Sequence, residues 1–406
     1  MVEKIYQIYP MKTLLLARPD HSTFLYEALR TNQEIDIKYH TFSAFKKGSL
    51  LNYWKPSVKS VDAEVEISYG FTFFHKFLYL LSKHITFDYY KIESQFSAYF
   101  FQQILQKYNN EVNIVHYWSI YYHQSIRNFQ RNNLKTKFLA DVYAAHPDYV
   151  RETLASAFDE FGLPLEKSHF LKSKDTDLAS LEGVENMLVP SKYIADIYQK
   201  YYPNATIFTA NFGLLSHVTD TTKQIKKRSL EPLKLGFVGN VSIEKGCPYL
   251  LKAMKILPNT GFQLDIIGQI QSSQTDVFRT YLNLPNVRFL GQLPNAKILE
   301  MLPEYHIFVL PSLSDAYSLA VSEALAHKLP VIITENVGNK DDVNKFQVGE
   351  ICQVKSVNAL VQSILTLANE EYRQHLRVNI DSFIADSQEN SYPSKVLKIY
   401  DHLLKH

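Results

Sequence analysis

The sequence predicts an α/β protein made of two doubly wound parallel-sheet domains, each Rossmann-like, that face each other across a cleft. Short, continuous apolar runs alternate with longer helical patterns along most of the 406 residues, which is typical of parallel strands buried on both faces. The length also exceeds what one ordinary core requires. Of the 54 aromatic residues (27 Tyr, 25 Phe and 2 Trp), 31 precede position 151, whereas nine of the 13 glycines lie at or after Gly213. We therefore expect the two halves to have different functions.

Each element follows from a local pattern. Apolar, β-branched runs predict strands at 12–17, 112–117, 137–142, 186–189, 233–239, 262–268, 286–291, 306–311 and 329–334. Helical patterns lie between them, notably at 247–257 and near 318–328. We expect a first, acceptor-binding domain over 1–212 and a second, donor-binding domain over 213–390, with the link within 211–230. A helix at about 391–406 is expected to pack back on the first domain.

Composition excludes several classes of protein. Hydrophobic residues make up 46% and charged residues 21% of the chain, as in soluble globular proteins, and the net charge of +2 argues against a nucleic-acid partner. Two cysteines, Cys247 and Cys352, form neither a disulfide framework nor a zinc cluster. The most apolar stretch, 69–90, contains lysines and histidines and is no spanning helix. A cytoplasmic protein is therefore expected.

A glycine-rich turn, GNVSIEKG at 239–246, lies between a strand and a helix. Gly239 and Gly246 would let the backbone approach a ligand closely, and the helix N-terminus with Lys245 could hold phosphate. The turn lacks the ending of a Walker loop and the glycine pattern of a nicotinamide site. A plain turn with a solvated lysine is the alternative.

A second loop follows the strand at 306–311. It presents Asp315 at the carboxyl end of that strand, and the next helix begins near Ser318. Glu323 lies one turn into this helix among small apolar residues, where a carboxylate is costly to bury without a hydrogen-bond donor such as a ribose diol. The alternative is that Asp315 caps the helix and Glu323 is a surface residue.

Taken together, these segments resemble glycosyltransferase family 4 (group 1), the retaining GT-B glycosyltransferases. Asp315-x7-Glu323, after Pro311-Ser312, resembles the E-x7-E signature of that family, and FVGNVSIEKG resembles its FVG-R/S-x3-KG turn, with matching order over roughly 233–350. The resemblance implies a GT-B fold. It also implies a donor site formed by Gly239, Asn240, Lys245, Gly246, Asp315, Ala316, Tyr317, Ser318, Leu319 and Glu323.

The resemblance implies a retaining, metal-independent transfer of a sugar from a nucleotide-sugar donor, without any cofactor. The acceptor would be a glycan, a lipid-linked molecule or a small molecule, and cell-surface polysaccharide synthesis is one expected setting. Asp315 would hold sugar hydroxyls and Glu323 the ribose. Lys245 and the N–H groups of residues 317–319 would stabilise the leaving diphosphate, which itself takes the acceptor proton.

A third candidate lies in the first domain. The segment LADVYAAHPDY at 139–149 resembles the loop that carries an active-site histidine in one branch of the family. His146 is therefore a candidate catalytic residue that faces the donor sugar, with Asp141 orienting the loop. The alternative is a histidine that caps the following helix.

Departures from the family pattern leave other functions open. Asn240 stands where an arginine is usual, Asp315 where glutamate is usual, and Ser318 where glycine is common, whereas Arg18 or His21 could supply the missing charge. A catalytically degenerate partner subunit is one alternative, and it would bind nucleotide weakly. A nucleotide-sugar epimerase is another, and it would convert the donor without any acceptor. A nicotinamide oxidoreductase is the least expected.

The aromatic surplus of the first half suggests a surface for the acceptor. Aromatic side chains there could stack on sugars or touch lipid headgroups, and lysines near Trp54 favour peripheral contact with the inner face of a membrane. An aromatic core is the alternative, and flotation with anionic vesicles distinguishes the two. The residues concerned are Lys46, Lys47, Trp54, Lys55, Lys59, Phe71, Phe73, Phe74, Tyr89 and Tyr90.

Overall fold

A computed structural model describes most of the chain. The described residues are 11–16, 21–41, 45–46, 60–61, 65–67, 77–78, 80–81, 85, 92, 99, 101–108, 111–118, 129, 135–171, 181, 183–214 and 232–405. They form two parallel sheets with helices on their faces, so the predicted α/β fold of two doubly wound domains is confirmed. All nine strands predicted from the sequence are present.

The first sheet has seven parallel strands in the described part of the chain, in the spatial order β5-β2-β1-β6-β7-β8-β9. Its central strands are almost entirely buried, as expected of parallel strands that helices cover on both faces. Three of the seven strands, β2, β5 and β9, were not predicted from the sequence. The strands are β1 (Met11–Leu16), β2 (Ile35–Thr41), β5 (Glu66–Ile67), β6 (Ile114–Trp118), β7 (Lys137–Asp141), β8 (Asn186–Val189) and β9 (Thr206–Thr209), with β3 (Phe45–Lys46) and β4 (Ser60–Val61) pairing separately.

The second sheet has six parallel strands among the described residues, in the order β12-β11-β10-β13-β14-β15. Five of them begin and end within two residues of the predicted bounds, because a buried parallel strand is a continuous apolar run, and the sixth, at the edge, was not predicted. The strands are β10 (Leu233–Val238), β11 (Phe262–Ile267), β12 (Val287–Gly291), β13 (Ile307–Leu310), β14 (Val331–Thr334) and β15 (Gly349–Cys352).

Helices cover the two sheets. The longer ones are amphipathic and begin at side chains that cap their first amides, as Ser191, Ser318 and Ser356 do. They are α1 (His21–Leu29), α2 (Pro147–Glu160), α3 (Lys192–Tyr201), α4 (Cys247–Ile256), α5 (Thr275–Phe278), α6 (Asn295–Met301), α7 (Leu319–Ala326), α8 (Lys340–Phe346), α9 (Val357–Thr366), α10 (Glu370–Glu389) and α11 (Tyr392–Lys405). Single 3₁₀ turns lie at Leu165–Lys167, His169–Leu171, Ser272–Gln274, Arg279–Tyr281 and Leu302–Glu304.

The last helix, α11, belongs to the core of the first domain. Val396, Tyr400 and Leu403 are buried against side chains of α1 and the first sheet, including Leu25. The Tyr400 hydroxyl lies 2.7 Å from Nδ1 of His116 in β6. The chain therefore returns to its first domain after completing the second.

No helix in the described ranges combines the length and the apolar character that crossing a bilayer requires.

Candidate donor site

The second sheet reverses its strand order at its centre. From β10 the chain continues to β11 on one side, and β13 lies on the other side of β10. At such a switch point the loops after the two strands diverge and leave a crevice at their carboxyl ends, where ligands of doubly wound sheets bind. The turn at 239–246 follows β10 and the loop at 311–318, hereafter the donor loop, follows β13. The strand order therefore brings the two predicted segments together.

Glycines let these backbones approach each other closely. Gly246 has φ +69°, and a Cβ there would lie 1.8 Å from the Pro311 carbonyl oxygen. Gly239 has φ +150°, and a Cβ on Gly268 would lie 1.8 Å from the Gly239 carbonyl oxygen. Gly268 was not among the predicted site residues, although it follows strand β11 just as Gly239 follows β10. Asn240 follows with an exposed side chain.

Lys245 and Asp315 form an ion pair across the crevice. Lys245 Nζ lies 2.6 Å from Asp315 Oδ2, and the two side chains are 20% and 11% exposed. The ammonium also lies 5.8 Å from the centre of the Phe170 ring, which belongs to the first domain. The structure thus brings together two predicted residues, and it adds a bond between them that the sequence did not predict.

The N-terminus of α7 points amide groups at the same crevice. Ser318 caps the helix, its Oγ accepting from Val321 N at 3.4 Å. Its own N–H donates to Oδ1 of the buried Asn339 at 2.7 Å, so the expectation that this amide holds diphosphate is corrected. The amides of Tyr317, Leu319 and Ala320 have no acceptor among the residues that the structure describes. Three amides therefore remain for an anion.

The side chain of Tyr317 turns away from the crevice. It is buried, and its hydroxyl donates to Asp342 Oδ2 at 2.9 Å. Its ring packs edge-on against Phe212, at 5.8 Å between ring centres. Burial, reinforced by the Asp342 carboxylate, raises the pKa of the Tyr317 hydroxyl well above its ordinary value. Tyr317 can therefore contribute only its backbone to a donor.

Glu323 lies on α7, half-buried and short of hydrogen-bond donors. Burial raises the pKa of its carboxyl group above the ordinary 4.5, whereas the Asn295 amide and His327 act in the opposite direction. Asn295 Nδ2 is 3.4 Å from Glu323 Oε1, a long contact. Asn295, at the start of α6, was missed by the sequence analysis because no pattern links two residues on separate helices. A ribose diol would supply the missing donors.

His146 has structural partners instead of donor-site partners. It is 2% exposed, its Nδ1 accepts from Asp148 N at 3.3 Å, and its ring stacks on Tyr201 with 3.6 Å between centres. Burial lowers the pKa of its imidazole. The prediction that it faces the donor sugar is therefore corrected: it caps α2, the alternative that the sequence left open.

Asp141 is held by neighbours in the first domain. Its Oδ2 lies 3.0 Å from His116 Nε2 and accepts from the Tyr143 hydroxyl. It thereby joins β6 and β7 to the loop that follows β7. Arg18 and the side chain of His21 lie outside the described residues, as do the side chains of the proposed acceptor surface around Trp54.

Comparisons with known proteins agree with this architecture. Residues 218–382 match the family model of glycosyl transferases group 1. The capsular polysaccharide biosynthesis glycosyltransferase CapM of Staphylococcus aureus is 26% identical over 172 residues, 40% of this chain and 43% of that protein. Protein CapJ of the same organism is 24% identical over 243 residues, 56% of this chain and 58% of the relative. The chain thus spans about half the length of these relatives.

One solved structure illustrates the whole fold. The sucrose-phosphate synthase (tll1590) from Thermosynechococcus elongatus superposes with a TM-score of 0.69, covering 97% of this chain and 99% of that chain. At 16% sequence identity this likeness concerns the fold alone. Both domains therefore adopt the GT-B arrangement.

Proposed function

We propose that the chain is a glycosyltransferase that uses a nucleotide-sugar donor, because residues 218–382 match the family model of glycosyl transferases group 1 and the chain has a GT-B fold. The acceptor in this proposal is a growing or lipid-linked glycan of a surface polysaccharide, because the relative CapM acts in capsular polysaccharide biosynthesis. Retention of the anomeric configuration and independence of a metal ion are parts of the proposal, and they follow from the family resemblance.

The observation that carries this proposal is the convergence of three different groups at one switch point. The ammonium of Lys245 and the amides of Leu319 and Ala320 suit a diphosphate. The half-buried carboxylate of Glu323 suits a ribose diol, and that of Asp315 suits sugar hydroxyls. Diphosphate, ribose and sugar are the parts that all nucleotide sugars share, so these groups favour a donor site over a degenerate one.

In the proposed reaction, the bond between the anomeric carbon and the diphosphate oxygen breaks, and its electron pair leaves with the diphosphate. The acceptor hydroxyl forms the new bond on the same face, and its proton passes to the departing phosphate. Lys245 and the α7 amides stabilise the charge that develops on the leaving group. His146 takes no part, because its ring is enclosed by α2 and α3.

A thermal-shift screen tests the donor site. UDP, GDP, ADP and their sugar conjugates are added to the purified chain, and we expect one base to stabilise it by about 2.7 kcal/mol at one hundred times its Kd. Glu323→Ala should abolish this shift, whereas Glu300→Ala, an exposed glutamate on α6, should keep it. The stabilising sugar conjugate is then incubated with acceptor, and NMR of the product reports its anomeric configuration. No shift with any nucleotide would overturn the proposal and favour a degenerate partner subunit.

Glu323 should give donor binding a distinctive dependence on pH. Its carboxylate must be ionised to accept from ribose, so the donor Kd should rise as pH falls, beginning above pH 4.5 because burial raises its pKa. The ligand-free protein should show the opposite sign. Since the folded-state pKa exceeds the unfolded one, Glu323 lowers stability as pH rises through the interval between them.

Measuring the donor Kd and the free energy of unfolding between pH 4 and pH 8 tests both of these pH dependences. Glu323→Gln should bind the donor weakly at every pH, and above that interval its ligand-free form should be more stable than the wild type. Glu300→Gln should follow the wild type in both measurements. A donor Kd that varies with pH equally in wild type and Glu323→Gln would refute the role of this carboxylate.

Peripheral contact with a membrane stays a prediction. The described residues of the first domain include exposed apolar side chains at Phe77, Leu80, Ile85 and Tyr99. These are compatible with an interfacial surface, and vesicle flotation remains the measurement that decides.

A further inference from the structure

The donor loop is held from the first domain as well as from its own. Ser191, which caps α3 of the first domain, donates through Oγ to the carbonyl oxygen of Ala316 at 2.7 Å. Ser191 Oγ also accepts from Ile194 N at 3.3 Å, as a helix cap does. One hydroxyl therefore joins the start of α3 to the residue that follows Asp315.

A second contact lies on the other side of Asp315. The hydroxyl of Tyr193, the second residue of α3, is 3.2 Å from Ser314 Oγ, and both residues are buried. Burial raises the pKa of this hydroxyl well above its ordinary value, so it stays protonated, and either hydroxyl of the pair can donate to the other. The same helix thus bonds to both neighbours of Asp315.

On its opposite face, the donor loop is fixed by backbone hydrogen bonds and by close packing against Gly338. Asp315 N donates to Asn336 O, and Gly338 N donates to Asp315 O, both at 2.9 Å. A Cβ on Gly338 would lie 1.8 Å from the Ala316 carbonyl oxygen and 2.6 Å from Ser191 Oγ. The loop is therefore confined between the segment after β14 and the start of α3.

We propose that Ser191 and Tyr193 are positioning residues for the donor: by fixing Ser314 and Ala316 they set Asp315 where it meets Lys245. This inference rests on the proposed function. Its consequence is that the donor site of the second domain is complete only while the first domain is docked against it. The alternative is that the two hydrogen bonds stabilise the domain interface alone.

Donor and acceptor kinetics separate these possibilities. Ser191→Ala removes a hydrogen bond worth about tenfold at most in an equilibrium constant, so the donor KM should rise about fivefold to tenfold while the acceptor KM stays unchanged. Tyr193→Phe should shift the donor KM in the same direction, and Ser191→Thr, which keeps a hydroxyl, should restore it. The control is Ser156→Ala, which removes a hydrogen bond from Lys355 of the second domain to exposed Ser156 of the first, outside the donor loop.

A purely structural role predicts a different result. Ser191→Ala would then lower the melting temperature through the lost cap of α3 while leaving both KM values unchanged, or would change both KM values equally, and either outcome overturns the inference. Hydrogen exchange of the ligand-free protein provides a readout that needs no donor. The amides of Asp315 and Ser318 should exchange faster in Ser191→Ala than in Ser156→Ala. Equal exchange rates would contradict the inference even if no nucleotide bound the wild type.

Discussion

Replacing Gly246 by alanine is expected to abolish donor binding and to destabilise the second domain more than any other single glycine substitution in the turn. Two costs add. The φ of +69° costs an L-residue about 1–2 kcal/mol, and the new Cβ would lie 1.8 Å from the Pro311 carbonyl oxygen. Because Pro311 is the first residue of the donor loop, relieving this clash must move the loop that carries Asp315.

Gly162 offers a matched control for that experiment. Its φ of +66° is almost the same, but a Cβ there would have no atom within 4 Å. Gly162→Ala should therefore lower the free energy of unfolding only by the conformational cost of the positive φ, and it should keep nucleotide binding. Denaturant unfolding and nucleotide thermal shifts measure both variants. Equal losses of stability, with nucleotide binding kept in both, would show that the close approach of the two loops is unimportant.

Removing the charge of Lys245 is expected to lower kcat/KM by about 10²–10³-fold, the usual cost of losing one group that stabilises a developing negative charge. The Lys245→Met variant also leaves the carboxylate of Asp315, only 11% exposed, without its cation, so stability should fall as well. Adding Asp315→Asn should recover part of the stability but none of the activity. Enzyme kinetics and denaturant unfolding measure the two effects separately.

Lys252→Met is the matched control for the loss of an ion pair. Lys252 Nζ also lies 2.6 Å from a carboxylate, that of Glu160, but the side chains are 36% and 41% exposed. An exposed pair contributes at most about 1 kcal/mol, and we expect kcat/KM to stay unchanged. If Lys252→Met reduced kcat/KM as much as Lys245→Met, the loss would come from the domain interface and the assignment of Lys245 to the diphosphate would be wrong.

Much of the second domain could be predicted because its signals are local. Buried parallel strands are continuous apolar runs, and Gly239 and Gly246 mark places where the backbone must approach closely. The loops that carry Lys245, Asp315 and Glu323 follow strands directly, so strand order alone gathers them. In the first domain, β2 alternates buried and exposed residues and was overlooked for that reason.

The partners of these residues could not be predicted, because nothing local specifies them. Ser191 and Ala316, which are hydrogen-bonded, are 125 positions apart in the sequence, and Asn339 and Ser318 are 21 positions apart. Such contacts depend on how the two sheets face each other. His146 illustrates a different limit: a histidine before a helix beginning with proline has the same local pattern whether it caps the helix or faces a ligand. Only its stacking on Tyr201 distinguishes the two.

The position of α11 determines when the first domain can finish folding. During synthesis, domains generally fold in order as they leave the ribosome. Here Leu25 of α1 is covered in part by α11, and His116 of β6 is hydrogen-bonded to the hydroxyl of Tyr400 in α11. The nascent first domain therefore cannot complete its core until the whole second domain has been translated. Until then, apolar surface and His116, which are buried in the finished protein, stay exposed. A ribosome stalled before residue 392 would hold a first domain that is still incomplete.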